Sequence, residues 1–180
     1  MQQVHYRSFY MIVTETRRLQ IRHYTLEDAP FVLELLNSPE WVSNIGDRGI
    51  KTLSDAEDYI AEKYLPQYSE RGYGAYISEI KESGEIVGTC GLYKRPDLDH
   101  PDIGFALLPK YSKKGYAFEA AQAVMEYARS FLKIDPIYGI TLPTNRNSIR
   151  LLEKLGLRQV DRIRLEDDTE ELLLFSTAQN

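Results

Sequence analysis

The stretch "DIGFALLPKYSKKGYAFEA", residues 102–120, decides how this chain is to be read. Its first seven residues read as a strand, and its last residues open a helix. From Ala117 onward, Ala120, Ala121, Val124, Ala128 and Phe131 recur at helical spacing. So many alanines let a helix lie close against a sheet. Between strand and helix stand Lys113, Lys114 and Gly115. A glycine at such a junction is either a plain turn or the place where backbone N–H groups meet an anion. A helix N-terminus leaves several N–H groups without intrahelical partners and carries partial positive charge. Together these make an anion site, which Gly115 opens to close approach and the lysines reinforce. The junction is no phosphate loop of the G-x-x-x-x-G-K-[ST] kind, and no G-x-G-x-x-G opens its helix.

Further along, "PIYGITL" reads as a short buried strand and "NSIRLLEKLG" as a compact helix. Asn147 is placed to cap this helix, Ser148, Leu151, Leu152 and Leu155 share one face, and Gly156 ends it. The strand–helix–strand passage over residues 102–142 predicts a parallel crossover. Both strand ends then open on one edge of the sheet. A ligand lying there would meet Asn145 and Ser148.

Upstream, "MIVTETRRLQIRHY" reads as a first strand. The next helix carries a capping box of Thr25 and Asp28, followed by apolar Ala29, Val32, Leu33 and Leu36. Ser54 and Glu57 predict a second capping box, for a helix that buries Ala56, Tyr59, Ile60 and Tyr64 until Pro66 interrupts it. "YGAYISEI" and "IVGTCGLY" flank the turn "KESGE" as a hairpin, and "LRQVDRIRLE" with "EELLLFS" forms a closing one. The expected fold class is α/β of the α+β type, a mixed, mostly antiparallel sheet of about six to seven strands with helices on both faces.

The 180 residues, without repeat or linker, suit one domain over 1–180; Met11 offers a second start, so residues 1–10 read as a loose extension. Net charge is −5, which argues against broad nucleic-acid binding. No apolar run approaches the roughly 20 residues that span a bilayer. The first residues lack a signal peptide's apolar core, and a lone Cys90 forms no internal disulfide, so the cytoplasm is the expected compartment. His5, His23 and His100 show no ligand spacing, so no metal is expected.

Four segments, "ETRRLQIRHYTLEDA", "GEIVGTCGL", "DIGFALLPKYSKKGYAFEA" and "NRNSIRLLEKLGL", follow in order over most of residues 14–157. In them the chain resembles the GCN5-related N-acetyltransferases (GNAT), and within these it is similar to the branch of bacterial ribosomal-protein alanine N-acetyltransferases. The resemblance implies a V-shaped sheet that binds acetyl-CoA, as co-substrate, at its splayed strands. The loop of Lys113, Lys114 and Gly115, with the backbone of Tyr116, Ala117 and Phe118, would cradle the pyrophosphate. The backbone of Leu107 and Leu108 would pair with the pantetheine arm, and Asn145 would hold that arm from the other side. Ser112 replaces the family's usual Gln or Arg, and Leu152 stands where many members carry a tyrosine that protonates the thiolate. Glu119 is expected to tie its helix to a neighbouring strand.

The implied activity is direct acetyl transfer to a primary amine, such as the N-terminus of a protein or peptide, by a monomer or homodimer. The chemistry needs a neutral amine, a polarised carbonyl and a way to release thiolate. A backbone N–H near Leu107 would polarise the carbonyl, Ser148 would hydrogen-bond the departing sulfur, and Asp102 or Glu166 would take the amine proton. Each also has a plain structural alternative: a solvent-facing strand start for Asp102, an acidic turn for Glu166, a helix start for Ser148. Cys90 reads as a small core residue, and Trp41 as an acceptor-site or core residue. Two rivals stand beside this reading. One is transfer to a small amine such as a polyamine, amino acid or aminoglycoside. The other is a catalytically silent acyl-CoA-binding module, which Ser112 and Leu152 keep open.

Overall fold

The computed structural model describes residues 10–166 and 170–178. The loose extension expected over residues 1–10 therefore lies, Tyr10 apart, outside the described residues. An eight-stranded sheet carries the fold, in the order β1-β2-β3-β4-β5-β6-β8-β7. The strands are β1 (Ile12–Glu15), β2 (Leu19–Arg22), β3 (Ala75–Ile80), β4 (Ile86–Tyr93), β5 (Asp102–Leu107), β6 (Tyr138–Thr141), β7 (Arg158–Ile163) and β8 (Leu172–Ser176). All neighbours pair antiparallel except β5 and β6, the parallel crossover. The sheet holds one strand more than expected because residues 12–22 fold back on themselves. Thr16 makes the turn: its N–H donates to the Leu19 carbonyl, and its Oγ1 accepts the Leu19 N–H at 2.8 Å.

Helices cover both faces. The alternation of a strand assigns them. Leu19 and Ile21, fully buried, belong to the face on which α5 (Tyr116–Tyr127) packs. Arg22 turns to the opposite face, where it meets the start of α1 (Ala29–Leu36). There α1, α2 (Pro39–Asn44), α3 (Leu53–Tyr59) and α4 (Leu65–Arg71) follow one another. The last helix is α6 (Arg146–Lys154), adjacent to α5.

Several local expectations hold and several shift. Thr25 and Asp28 do form the capping box ahead of α1, and Thr25 N–H donates to the Asp28 carboxylate at 2.8 Å. The box before α3 is Thr52 with Asp55, not Ser54 with Glu57: Asp55 accepts the N–H of both Lys51 and Thr52, so the chain is already turning two residues earlier. Pro66 does not end that helix. A π turn over Ile60–Tyr64, closed by Leu65 N–H on the Ile60 carbonyl, carries the helix into α4, where Pro66 sits in the first turn and needs no N–H partner. Helix α5 likewise passes into a π turn, Ala128–Leu132. The wider turn rotates Phe131 out of the buried stripe, and it lies 72% exposed, stacked on Tyr127. The residue that caps α6 is Asn145, whose Oδ1 accepts the Ser148 N–H at 3.1 Å; Asn147, inside the first turn, is exposed.

One buried ion group pins α1 to the sheet. Arg22, 4% exposed, makes a two-bond fork to Asp28 at 2.9 and 2.8 Å and donates Nε to Glu79 at 2.8 Å. A charge taken this far from water is tolerable only while its partners remain. Asp28→Ala should therefore destabilise the fold by about 3 kcal/mol, the low end for a broken buried pair because Glu79 stays. Urea denaturation checks this: the midpoint should fall at unchanged slope. A loss below about 0.5 kcal/mol, the range of an ordinary surface change, would show that the group does not anchor α1.

Candidate active site

Strands β5 and β6 are in register at one pair, Asp102 with Tyr138, and then diverge. Beyond that pair the facing edge of β5 has no strand beside it. Which β5 residues point their backbone into the gap follows from the pairing on the other side. Leu108 N–H donates to Val87 O at 2.9 Å, and antiparallel ladders alternate, so Ala106 and Gly104 also face β4. Phe105 and Leu107 thus present N–H and C=O to the cleft. This corrects Leu108 as a partner of the arm: its N–H is spent on β4, and its carbonyl takes the Tyr111 N–H. Phe105, which the pattern alone did not select, has the free backbone edge instead.

At the open end lies the glycine junction. Lys113 and Gly115 both adopt the left-handed backbone, with φ of 61° and 82°. Two such residues in a row of three fold the loop into a concavity. The first intrahelical bond of α5 is Glu119 N–H to Gly115 O, so the N–H groups of Tyr116, Ala117 and Phe118 have no partner among the described residues. This is the arrangement that suits a phosphate. Lys113 and Lys114 are exposed beside it.

The loop is braced from beneath by a residue the sequence did not mark. Arg18 donates Nη1 to the Lys114 carbonyl at 3.0 Å and lies over the Tyr116 ring at 4.3 Å. Its Nε donates to Glu119 at 2.7 Å. Glu119 also accepts the Arg18 N–H at 2.9 Å and the Thr16 hydroxyl at 2.5 Å, and so ties α5 to the β1–β2 turn as expected. Burial alone would raise the Glu119 pKa; the bonds from Thr16 and Arg18 outweigh it and hold the group below the ordinary range.

The cleft itself has two chambers. One, about 460 Å³, runs past Leu107, Lys113 and Ala117 to Trp41 on α2. The other, about 190 Å³, holds Arg48, Arg95, Asp102 and Thr141. Asn44, Phe105, Asn145 and Ser148 line both, so the two meet at the splay. Ser148 uses its N–H on the cap, and its hydroxyl has no partner among the described residues. Leu152 faces away. It is 1% exposed and packs on Gly139, where an added Cβ would meet its Cδ2 at 2.6 Å. Trp41 is a core residue, 8% exposed, and also forms part of the chamber wall.

Asp102 is not a solvent-facing strand start. It is 1% exposed and holds Arg95, with Nε to Oδ1 at 2.8 Å and Nη2 to Oδ2 at 3.4 Å. Burial pushes its pKa up, opposed by the Arg95 guanidinium, and the net direction is upward. Glu166 is exposed outside the chamber lining, its N–H on the Asp97 carboxylate at 3.2 Å. Phe118 points away from the loop, its ring beneath Lys154 Nζ at 4.1 Å, so its contribution to the anion site is its backbone. Cys90 is 1% exposed in β4 and its thiol pKa is raised by burial, which leaves no thiolate nucleophile at this position.

Residues 18–158 match the model of the acetyltransferase (GNAT) domain, and the chain belongs to that family. It is 30% identical over 152 residues to the uncharacterized N-acetyltransferase p20 of Bacillus licheniformis, covering 83% of this chain and 84% of the relative. A GNAT-family acetyltransferase of Bacillus anthracis shares its fold with a TM-score of 0.75 at 24% identity, over 93% of this chain and 97% of that one. RimL, a ribosomal L7/L12 α-N-protein acetyltransferase solved with coenzyme A, superposes with a TM-score of 0.76 at 15% identity, over 92% and 97% of the two chains.

Gly115 gives a direct handle on the anion site. Its positive φ strains any other residue, and a Cβ there would lie 3.3 Å from Arg18 Nη2. Gly115→Glu adds a carboxylate where phosphate should sit. Acetyl-CoA affinity measured by calorimetry should fall by about tenfold or more, the weight of one charge-assisted contact. Unchanged affinity would move the pyrophosphate elsewhere.

Proposed function

We propose that this protein is an acetyl-CoA-dependent N-acetyltransferase that acts on a primary amine by direct transfer in a ternary complex. The observation that carries the reading is the unpaired edge of β5, which ends beside three free N–H groups of α5 and faces Ser148 and Asn145 across the splay. That RimL, a protein of the same fold, was solved with coenzyme A supports acetyl-CoA as the co-substrate. The acidic balance of the chain selects no acceptor, and neither do neighbours at this level of identity, so the branch resemblance stays a likeness of fold.

Acetyl-CoA supplies an activated acyl carbon and a thiolate leaving group when bound. The chain's own groups do the rest. The free N–H groups of α5, with Lys113 and Lys114, hold the pyrophosphate. Backbone groups of Phe105 and Leu107 hold the extended arm as an added strand would. The Phe105 N–H, on the free-edge residue that lines both chambers, lies nearer the reacting end than Leu107 and polarises the carbonyl, and the Asn145 amide, with its Oδ1 already on the helix cap, offers Nδ2 from the opposite wall. The Ser148 hydroxyl donates toward the departing sulfur and replaces the tyrosine that position 152 lacks. Asp102 draws the proton from the ammonium through a water, because its raised pKa makes it a better base than an ordinary carboxylate. Much of the rate comes from holding amine and thioester in contact.

Ser148→Ala should lower kcat by roughly tenfold while leaving acetyl-CoA affinity within about twofold, since a bond to developing charge is worth most in the transition state. Thiol release with the acceptor saturating, paired with calorimetry, reads both. Equal losses in the two would return Ser148 to a capping role.

The base is tested by a pH–rate profile. Activity should rise as Asp102 loses its proton, on a limb displaced upward from the ordinary carboxylate range. Asp102→Asn should lack that limb and lose on the order of 100-fold in kcat/KM near neutrality. Its activity should recover as alkali supplies free amine. Glu166→Gln, outside the lining, should keep the wild-type profile. The reverse pattern would assign the proton to Glu166, and two wild-type profiles would leave proximity and backbone polarisation as the whole of the catalysis.

A further inference from the structure

The smaller chamber carries positive charge that acetyl transfer itself does not require. Among the described residues its charged lining is Arg48, Arg95 and Asp102, two guanidinium groups against one carboxylate. That excess runs against the chain's net charge of −5. Asp47, Asp97, Asp99 and Glu166, described acidic residues of the neighbouring loops, are not part of the lining, and Asp47 pairs with Lys51 instead.

Arg95 is a built feature. Asp102, itself 1% exposed, accepts Nε and Nη2 and fixes the guanidinium plane. The Arg95 side chain stays 37% exposed, and its Nη1 hydrogens have no partner among the described residues. Arg48 reaches the same chamber from the loop after α2, between Gly46 and Gly49, both at positive φ. It is exposed and makes no hydrogen bond or ion pair with a described residue. A planar, permanently charged fork with spare donors is the side chain best matched to a carboxylate. A polyamine or aminoglycoside would bring several positive charges toward these two, which is repulsive in a cleft partly shielded from water.

We propose that the acceptor is an α-amino acid, its carboxylate held by Arg95 and Arg48 and its amino group turned to Asp102 and Ser148. The Arg95–Asp102 pair is the charge complement of such a zwitterion, positive toward the carboxylate and negative toward the ammonium. Ser148 and Asn145 border the same chamber, so an amine one carbon from a bound carboxylate meets the splay where the thioester ends. The proposal rests on the acetyltransferase reading and names its substrate class. A peptide has lost its α-carboxylate next to the N-terminus to the amide bond, and could offer the same charge only from an acidic first side chain.

The test measures thiol release from acetyl-CoA by the intact protein with the twenty amino acids, their amides, and dipeptide amides beginning with Asp or Glu. At least one free amino acid should exceed its amide by about 10- to 100-fold in kcat/KM, the weight of charge-assisted bonds to one carboxylate. Arg48→Gln, at an exposed and unpaired position, should raise KM for the acid and leave the amide unchanged, and Arg95→Lys, which keeps a cation beside Asp102 but alters its partner, should raise KM for the acid by more than for the amide. Amides used as well as acids, a preference unaltered in both variants, or better use of the acidic dipeptide amides would overturn the proposal. If no amine releases thiol, it is the acetyltransferase reading that fails. The carboxylate site is then read by titrating N-acetyl-amino acids and their amides into CoA-loaded protein. A tenfold preference for an acid that Arg48→Gln removes sustains the site, and equal binding of acid and amide overturns it.

Discussion

The parting of β5 from β6 after one residue pair is the constraint on which the rest depends. A sheet interior normally leaves no backbone polar group without a partner. Here each strand is locked on its far side, β5 to β4 along its whole length and β6 to β8 through four pairs, so neither can turn to close the gap. The buried packing of Leu152 on Gly139 fixes the face of β6 as well. The unmet N–H and C=O groups of Phe105 and Leu107 are thereby held in one orientation, toward whatever extended ligand lies between the strands.

Two ion networks hold the walls of that gap, and they do different work. The Arg22–Asp28–Glu79 group is buried and ties α1 to β2 and β3, which sets the helical wall that α1 and α2 provide. The Arg18–Glu119 pair is partly exposed, and a pair at that depth contributes little to stability. Its importance lies in geometry. By gripping the Lys114 carbonyl and stacking on Tyr116, Arg18 fixes a loop whose left-handed residues would otherwise be costly to hold. A preorganised anion site spends none of its binding energy on ordering the loop.

The third wall shows how one carboxylate can be read in two ways. Asp102 is in the right place for a base and is also the anchor of Arg95. These roles are compatible, because the bond to Oδ2 is long at 3.4 Å and leaves that oxygen able to accept from a water. Burial and the guanidinium act on its pKa in opposite directions, so its basicity depends on how firmly Arg95 is held.

The sequence by itself determined most of the elements and their order, because a helix face or a strand is written in residue spacing over a dozen positions or fewer, but it read β1 and β2 as one strand and gave no sign of α2. It determined the glycine junction too, since a lysine–lysine–glycine step between strand and helix has few structural uses, and the run of alanines on α5 required a sheet to pack against. Spacing could not say where α3 passed Pro66 or why Phe131 left the buried stripe. Both depend on π turns, which insert a residue without changing the local pattern. It could not exclude Leu108 either, because which edge of β5 a residue faces is set by the hydrogen-bond parity with β4 and not by hydrophobicity. Arg48 and Arg95 lie in loops, and loops have no periodicity to read. The pairing of "IVGTCGLY" with "DIGFALL" was the available signal, since it sets Tyr93 opposite Asp102 and so brings Arg95 near. Tertiary structure alone decided that the two arginines share one chamber with Asp102 and Ser148. Four residues spread over a hundred positions meet only after the sheet has closed around its one open seam.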